Sequence, residues 1–266
     1  MERAVSARRE ARISYSHDEE TVVSRKWKVI LIVSLLGNMS IGYVAFKALK
    51  YRAHINEYLD KYTHVVEHFS RRDRYAQENE GLTSDTTIAE RIVFLGSQVI
   101  ENWALNRCFP GYEAINRGVS GQRVSGFLLR FMPDVIELGP AVVVIEVSSY
   151  NFRPQNSVKE IEDYVSSMSE LARAHGIRPL AATIIPPCRG SVDLGEYLIM
   201  DSIALFNDWL RQQYRQGGPG YVDFDRALAG DNGFMRIEYA GSAIDLNENG
   251  YERISAAVRE AMDKQR

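Results

Sequence analysis

The sequence predicts an α/β protein, a three-layer α/β/α sandwich with a parallel sheet that is preceded by a transmembrane helix and a helical stalk. Three observations predict this arrangement. An uncharged, mostly apolar run occupies Val29–Phe46, and a heptad-like seam of apolar residues continues beyond it. From about residue 90, short β-branched runs alternate with amphipathic helical stretches. We therefore divide the chain into a tail (residues 1–27), a transmembrane helix (28–47), a helical stalk with its linker (48–80) and a C-terminal α/β domain (88–266).

The composition is that of an ordinary globular chain and excludes several classes of function. The 266 residues carry a net charge of −3, with 45% hydrophobic and 25% charged residues. Nucleic-acid binding needs a concentrated positive face, which this balance does not provide, so we expect no nucleic-acid partner. Two cysteines, Cys108 and Cys188, are too few for a disulfide framework or a four-thiolate zinc site. Carboxylates show no metal-ligand spacing, and we expect no metal or cofactor.

The apolar run Val29–Phe46 is interpreted as a single-pass membrane anchor. At about 1.5 Å per residue, a helix of this length just crosses a hydrocarbon core of roughly 30 Å. A cleaved signal peptide is the main alternative, but 28 residues precede the run and no convincing cleavage site follows it. Lys and Arg are slightly more frequent before the run than after it, which favours a cytoplasmic N-terminus. In a bacterium, this orientation predicts an inner-membrane protein with a periplasmic C-terminal domain.

The segments that flank the anchor are predicted to differ. Residues 1–27 mix charges and lack apolar periodicity, which predicts a disordered cytoplasmic tail. Residues 48–80 are interpreted as a helical stalk that passes into a polar linker over 71–87. The seam of the stalk predicts docking on the protein's own domain, on a protein partner or on a second copy. Its residues, spaced alternately by four and three, are Val44, Ala48, Tyr51, Ile55, Tyr58, Tyr62, Val65 and Phe69.

One face of the anchor itself carries small and polar residues. Ser34, Asn38 and Gly42 are spaced by four and share a helix face. This stripe could pack against another transmembrane helix, or it could consist of polar positions that a single span tolerates.

The C-terminal region reads as a doubly wound sheet. Residues 91–96 are interpreted as an apolar strand that ends in Gly96. Residues 141–147 and 179–185 are continuous β-branched runs, which are typical of parallel strands buried on both faces. Helices are predicted at about 122–138, 158–175, 197–215 and 249–262. Ligands bind at the carboxyl edge of such sheets, which directs attention to the residues after Gly96, near Gly118 and after Val147.

Five collinear segments of this region resemble the blocks of the SGNH/GDSL hydrolase family. They are FLGSQVIENW, INRGVSGQRVSGFLLRF, VVVIEVSSYNF, ATIIPP and AIDLNENGYERIS, and together they span residues 90 to 262. The resemblance implies a flavodoxin-like, SGNH-hydrolase-type sandwich. It also implies relatives that are esterases, lipases, thioesterases or carbohydrate acetylesterases, and a ligand of the acylated or glycan class.

The resemblance implies a serine nucleophile in Gly-Asp-Ser and a base in Asp-x-x-His. A hydroxyl becomes nucleophilic only when a neighbouring base takes its proton. Gly-Asp-Ser falls on Gly96-Ser97-Gln98, so Gln98 stands at the nucleophile position. Asp-x-x-His falls on residues 242–245, so Ser242 replaces the acid and Asp245 replaces the base.

The oxyanion donors of the family are retained only in part. Their glycine matches Gly121, whereas the asparagine of Gly-x-Asn-Asp falls on Tyr150, with Asn151 one place later. The catalytic positions are therefore predicted to be degenerate. The candidate pocket residues are Ser97, Gln98, Ser120, Gly121, Tyr150, Asn151 and Asp245.

The histidines of the chain support this prediction independently. Four of the five, His17, His54, His64 and His68, precede the domain. His175 ends a helix that leads into a parallel strand, which predicts a position at the amino edge of the sheet, opposite the pocket.

Three hypotheses follow. The first is a membrane-anchored domain that has lost hydrolysis and serves as a binding or assembly subunit of an envelope complex handling polysaccharide or lipid. The second is an active esterase or acyltransferase with an atypical site, in which Ser97 or Ser120 works with Asp245. A carboxylate is a weak base for an alcohol, which counts against the second. The third is a structural role in which the domain is a spacer and the stalk is the functional part.

Overall fold

The computed structural model describes the backbone of residues 2–82, 90–152, 157–188, 199–215, 220–241 and 245–264. Side chains are described within these ranges from residue 25 onward, except at 60–70 and 214–215. The chain forms two compact units, Met1–His64 and Val65–Arg266.

The first unit is helical and contains most of helix α1 (Glu2–Ser70). Its segment Arg25–Leu59 is long and apolar enough to cross a membrane by length and composition, with a mean hydropathy of 2.0 in its most apolar window. Ser40 donates to the carbonyl of Leu36 at 2.9 Å, so this polar side chain is satisfied within its own helix. The described seam residues of the stalk, up to Tyr58, are exposed.

The prediction of disorder for residues 1–27 differs from the structure, in which α1 begins at Glu2. The physical reason lies in helix propensity. No glycine or proline occurs before Gly37, and arginine, glutamate and alanine are frequent in the first twelve residues. The mixed charges that resemble a disordered tail are thus compatible with a helix that the apolar run continues.

The second unit begins with a segment that is more than the predicted linker. After the turn at residues 71–75, helix α2 (Ala76–Gly81) lies against the domain. Tyr75 is buried, and the side chain of Asn79 donates to Asp134 at 2.8 Å. The polar composition of this segment predicted a linker, but Tyr75 and Asn79 form specific contacts with the domain. The linker interpretation is therefore corrected for residues 71–82.

Five parallel strands form the sheet in the described part of the domain, in the order β2-β1-β3-β4-β5. The register pairs Gly96 with Gly118 and Leu95 with Ile145. The predicted strands are present, although shorter at 142–145 and 178–182, and the strands at 113–118 and 220–222 were not predicted. The bounds are β1 Arg91–Gly96, β2 Glu113–Gly118, β3 Val142–Ile145, β4 Arg178–Ala182 and β5 Gly220–Val222.

Helices cover both faces of this sheet. The predicted helix at 122–138 is an α-helix only to Phe131 and widens to a π-helical turn at Met132–Ile136, where Pro133 lacks the amide proton of a regular turn. The other three predicted helices are present. The bounds are α3 Gln98–Glu101, α4 Leu105–Cys108, α5 Val124–Phe131, α6 Val158–Ala174, α7 Met200–Arg215, α8 Phe224–Leu228 and α9 Glu248–Asp263.

Two apolar cores hold the layers together. Val93 and Leu95 of β1 face the core formed with α5, α6 and α7. Ile92 and Phe94, which alternate with them, face the core formed with α3, α4, α8 and α9. The order of the strands reverses at β1, so the ends of β1 and β3 mark the switch point at which ligands of such sheets bind.

Candidate functional site

The candidate site lies at the carboxyl ends of β1, β2 and β3. Gly96 and Gly118 end neighbouring strands, and α3 begins two residues after Gly96. A Cβ atom at Gly118 would lie 2.6 Å from the Cα of Glu101, so only glycine lets α3 approach β2 this closely. This close approach positions the first residue of α3, Gln98, at the end of the sheet.

Gln98 connects the residues at the centre of the site. Its side-chain nitrogen donates to Oδ1 of Asp245 at 2.5 Å. Its side-chain oxygen accepts a hydrogen bond from the hydroxyl of Ser120 at 3.2 Å. The structure therefore brings together three of the residues that the sequence predicts for the pocket, from three separate segments.

Ser97 lies beneath this group rather than in the pocket. It is only 2% exposed, and both its amide nitrogen and its hydroxyl donate to Oε2 of Glu146, at 2.7 and 2.8 Å. Complete burial raises the pKa of the Glu146 carboxyl, although the two hydrogen bonds from Ser97 act in the opposite direction. Ser97 was predicted as a pocket residue and as a partner of Asp245, but its hydroxyl binds Glu146 in the interior.

The loop that follows β2 carries Ser120 and Gly121. The amide nitrogen of Ser120 donates to Oε2 of Glu101 at 2.8 Å. Gly121 has a φ of +72°, a left-handed conformation that favours glycine, and no atom lies within 4 Å of the place where a Cβ would be. The loop is thus fixed at Ser120 and open at Gly121, as a surface that accepts a ligand requires.

Tyr150 falls at the asparagine position of the family and Asn151 follows it, but only Tyr150 is exposed. Asn151 is 2% exposed; its oxygen accepts from the amide of Val124 at 2.8 Å, and its nitrogen donates to the carbonyl of Ser148 at 3.2 Å. It therefore satisfies the N-terminus of α5, so its predicted pocket position is corrected to a structural one. Tyr150 is 45% exposed, and the Arg123 guanidinium lies 5.9 Å from the centre of its ring.

Two predicted residues lie elsewhere. His175 follows the last residue of α6, three residues before β4, at the amino edge of the sheet as predicted. It is exposed, and its Nδ1 lies 2.9 Å from the carbonyl oxygen of Leu171. It is the only histidine of the chain after residue 68. Ser242, the counterpart of the family's acid, lies outside the described residues.

The site is acidic. Asp245 contacts Gln98 directly, whereas Glu101 binds the amide of Ser120 and Glu146 binds Ser97 in the interior. Burial raises the pKa of Tyr251, with further contributions from the charges of Asp245 and Glu146, so its hydroxyl stays protonated and donates to the carbonyl of Val99 at 3.1 Å. Within the described ranges, no group of three or more His, Cys, Asp and Glu is arranged to hold a metal ion.

Sequence reasoning missed the partners that support the site. No sequence pattern singles out Glu146 or Glu101, whereas the structure shows that they bind Ser97 and Ser120 directly. Arg74 and Tyr75 also reach this region, although they precede every resembling block. An aromatic residue within a polar run was the one signal that could have indicated Tyr75.

Comparisons with known proteins agree with this fold. The family model of the GDSL-like lipase/acylhydrolase family matches residues 96–253. The chain is similar to the crystal structure of a provisionally assigned acylhydrolase from Bacteroides fragilis, with 27% identity and a TM-score of 0.64 over 74% of this chain and 97% of that one. No curated protein matches the chain.

Two further solved structures are similar. A GDSL-like lipase from Bacteroides thetaiotaomicron is 27% identical, with a TM-score of 0.63 over 74% of this chain and 100% of that one. A provisionally assigned lipolytic protein of the G-D-S-L family from Desulfitobacterium hafniense shares the fold at 18% identity, with a TM-score of 0.55 over 65% of this chain and 99% of that one. The resemblance read from the five blocks is confirmed, because the matched region covers more than half of the sequence: the chain belongs to the GDSL-like lipase/acylhydrolase, or SGNH/GDSL, family.

Proposed function

We propose that the protein is a membrane-anchored, non-hydrolytic member of this family that acts as a binding or assembly subunit. The observation that carries the proposal is the contact between Gln98 and Asp245. The residue at the nucleophile position donates a hydrogen bond of 2.5 Å to the residue at the base position, so the family's geometry persists with different chemistry.

The chemistry of the two side chains argues against acyl transfer. The nitrogen of a carboxamide has its lone pair delocalised into the carbonyl group, so Gln98 offers a hydrogen-bond donor and an acceptor but no nucleophile. Acyl transfer by a hydroxyl needs a base that takes its proton. The hydroxyl of Ser120 donates to the Gln98 oxygen, which is not such a base, and the hydroxyl of Ser97 is buried against Glu146.

The same side chains are suited to binding. The site presents amide, hydroxyl and carboxylate groups from Gln98, Ser120 and Asp245. The ring of Tyr150, in the segment that follows β3, is exposed. An uncharged ligand with both donors and acceptors fits this mixture, whereas the nearby carboxylates disfavour an anion. The solved relatives described as an acylhydrolase and a lipase support an acylated molecule as the ligand class. A glycan, which the family resemblance also implies, is the other ligand class that we propose.

The N-terminal unit supports the proposal of a membrane anchor. Arg25–Leu59 is apolar over the length that a bilayer requires. We propose that it anchors the protein in the inner membrane of a bacterial cell, with residues 1–27 cytoplasmic and the domain in the periplasm. The stalk would then associate with a partner or a second copy within an envelope complex that handles polysaccharide or lipid.

The proposal is tested with the full chain, purified in mild detergent and supplied with p-nitrophenyl acetate. We expect no hydrolysis above the detergent background, and no change for Gln98→Ala. Hydrolysis that Gln98→Ala or Asp245→Ala abolishes would overturn the proposal. Treatment with a fluorophosphonate probe, followed by peptide mapping, checks the serines directly, because labelling of Ser97 or Ser120 would instead indicate an enzyme with an atypical site.

A further inference from the structure

We propose that Arg74 and Tyr75 are positioning residues of the pocket, through which the segment 71–82 controls the loop Gly118–Gly121. The proposal rests on the proposed function, in that this loop is taken to bind the ligand. The two residues lie more than twenty positions before the region that matches the family model. They would make this pocket responsive to the chain segment that leads to the anchor.

Tyr75 holds the beginning of the loop. Its hydroxyl donates to the backbone carbonyl of Gly118 at 2.5 Å, across a sequence distance of 43 residues. The side chain is buried, and the Arg117 guanidinium lies 4.5 Å from the centre of its ring. Burial raises the pKa of the Tyr75 hydroxyl, which keeps the donor protonated. The carbonyl that marks the end of β2 is thus fixed from outside the family region.

Arg74 acts on the centre of the loop through one carboxylate. Its guanidinium lies 3.1 Å from Oε1 of Glu101, and the other oxygen of the same carboxylate accepts the hydrogen bond from the amide of Ser120. Ser120 in turn donates to Gln98. Three consecutive contacts therefore connect the segment to the residue at the nucleophile position.

A buried ionic network also holds the segment 71–82, through Asn79. Asn79 accepts from Arg117 at 2.7 Å and donates to Asp134 at 2.8 Å. Arg117 is 1% exposed, and Arg130 and Asp134 form a fully buried pair at 2.8 Å. Arg130 also donates to the backbone carbonyl of Arg117. Removal of the segment would leave part of this network without partners, which is expensive for buried charges.

The consequence is a coupling between segment and pocket. Displacement of residues 71–82 must break the Tyr75–Gly118 and Arg74–Glu101 contacts together, which releases two points of the loop. A ligand that stabilises the present loop conformation would, by reciprocity, stabilise the docked segment. The segment follows α1 directly in the chain, so an event on the stalk side could reach the pocket by this route.

The test places a reporter thiol in the loop. In the full chain with Cys108→Ser and Val119→Cys, purified in mild detergent, the alkylation rate at position 119 by iodoacetamide is measured by mass spectrometry. Position 119 lies in the loop and its side chain is 3% exposed, so alkylation requires release of the loop. Cys188, the remaining native cysteine, is buried. We expect Arg74→Ala and Tyr75→Phe each to raise the rate at least threefold, and Arg74→Lys, which keeps the charge, to stay close to the parent.

Charge alone predicts the opposite sign. Removing a nearby cation raises the pKa of a thiol and slows its alkylation, so acceleration by Arg74→Ala reports release of the loop. The matched controls are Arg72→Ala, an exposed arginine of the same segment, and Tyr164→Phe, a tyrosine of α6; both should leave the rate unchanged.

Unchanged or slower alkylation in both Arg74→Ala and Tyr75→Phe would overturn the proposal. Arg74→Ala keeps the test decisive if Tyr75→Phe does not fold, because the Arg74 side chain is 44% exposed. The alkylation rate is measured independently of hydrolysis. Esterase activity would therefore contradict the proposed function, but the alkylation rates would still decide whether Arg74 and Tyr75 position the loop.

Discussion

The side-chain amide of Gln98 and the carboxylate of Asp245 are joined by a 2.5 Å hydrogen bond across 147 positions of sequence. The two residues stand at the nucleophile and base positions of the family blocks, so the fold still brings these positions together. A donor that carries no nucleophilic lone pair now faces an acceptor that is not an imidazole. This contact is the basis of the proposal that the domain binds a ligand without hydrolysing it.

Restoring those groups should restore some reaction. The double variant Gln98→Ser, Asp245→His places a hydroxyl and an imidazole at positions that are in contact in the present structure. We expect it to hydrolyse p-nitrophenyl acetate on the order of 10²-fold faster than either single variant, the lower range of a general base's contribution. Initial rates in the same detergent measure this.

Each single variant is the control for the double one, because a hydroxyl without a base, or a base without a nucleophile, should remain inert. Labelling of position 98 by a fluorophosphonate probe should accompany the activity. A double variant that folds like the parent but matches the single variants in rate would show that the two positions no longer meet productively.

The buried Glu146 carboxyl should make stability depend on pH. Because burial raises its pKa in the folded protein, the native state holds a proton that the unfolded chain releases once the pH exceeds the ordinary glutamate value. The free energy of unfolding therefore falls as the pH rises through the window between the unfolded and folded pKa values. Glu146→Gln keeps an oxygen that accepts from Ser97 but cannot ionise.

We expect the midpoint of thermal unfolding of the parent to decrease from pH 5 to pH 8 by more than that of Glu146→Gln. The exposed Glu137→Gln is the matched control and should follow the parent. Identical pH profiles for the parent and Glu146→Gln would contradict the assignment of this carboxyl as the source.

The proposed anchor, Arg25–Leu59, predicts that membrane association depends on charge within this segment. On insertion scales, each arginine at the centre of a membrane helix costs about 2.5–3.5 kcal/mol. The double variant Leu35→Arg, Leu36→Arg should therefore move the protein from the alkali-resistant membrane fraction into the soluble fraction. Leu35→Ala, Leu36→Ala is the control and should stay with the membrane. Retention of the arginine variant in the membrane fraction would indicate that Arg25–Leu59 is not the anchor.

Most of the layered fold, although not β2 or β5, was predicted from the sequence because its signals are local and repeated. The continuous β-branched run at 142–145 and the seam of helices such as α6 indicate buried strands and amphipathic helices without knowledge of their neighbours. The five resembling segments also assigned Gln98 to the nucleophile position and Asp245 to the base position of the family. Such patterns survive substitution of single residues.

The contacts that support the site could not be predicted from such local patterns. The Ser97–Glu146 bond joins residues that no periodicity relates, and Tyr75–Gly118 connects a polar stretch to the end of a strand. Asn151 was misread because an asparagine can supply an oxyanion donor or satisfy a helix terminus. Only the position of α5 decides between them.

Asn79 provides the most direct test that the segment 71–82 belongs to the domain. Its side chain lies between Arg117 and Asp134, and Asn79→Ala leaves both of these residues without one partner. Loss of a partner to a buried polar or charged group costs about 1–3 kcal/mol, so the midpoint of urea unfolding of a 71–266 fragment should fall accordingly. Glu80→Ala, at an exposed position of the same short helix, should change the free energy of unfolding by less than about 0.5 kcal/mol. Equal midpoints for the two variants would mean that the contacts of Asn79 with Arg117 and Asp134 do not hold the segment 71–82 on the domain.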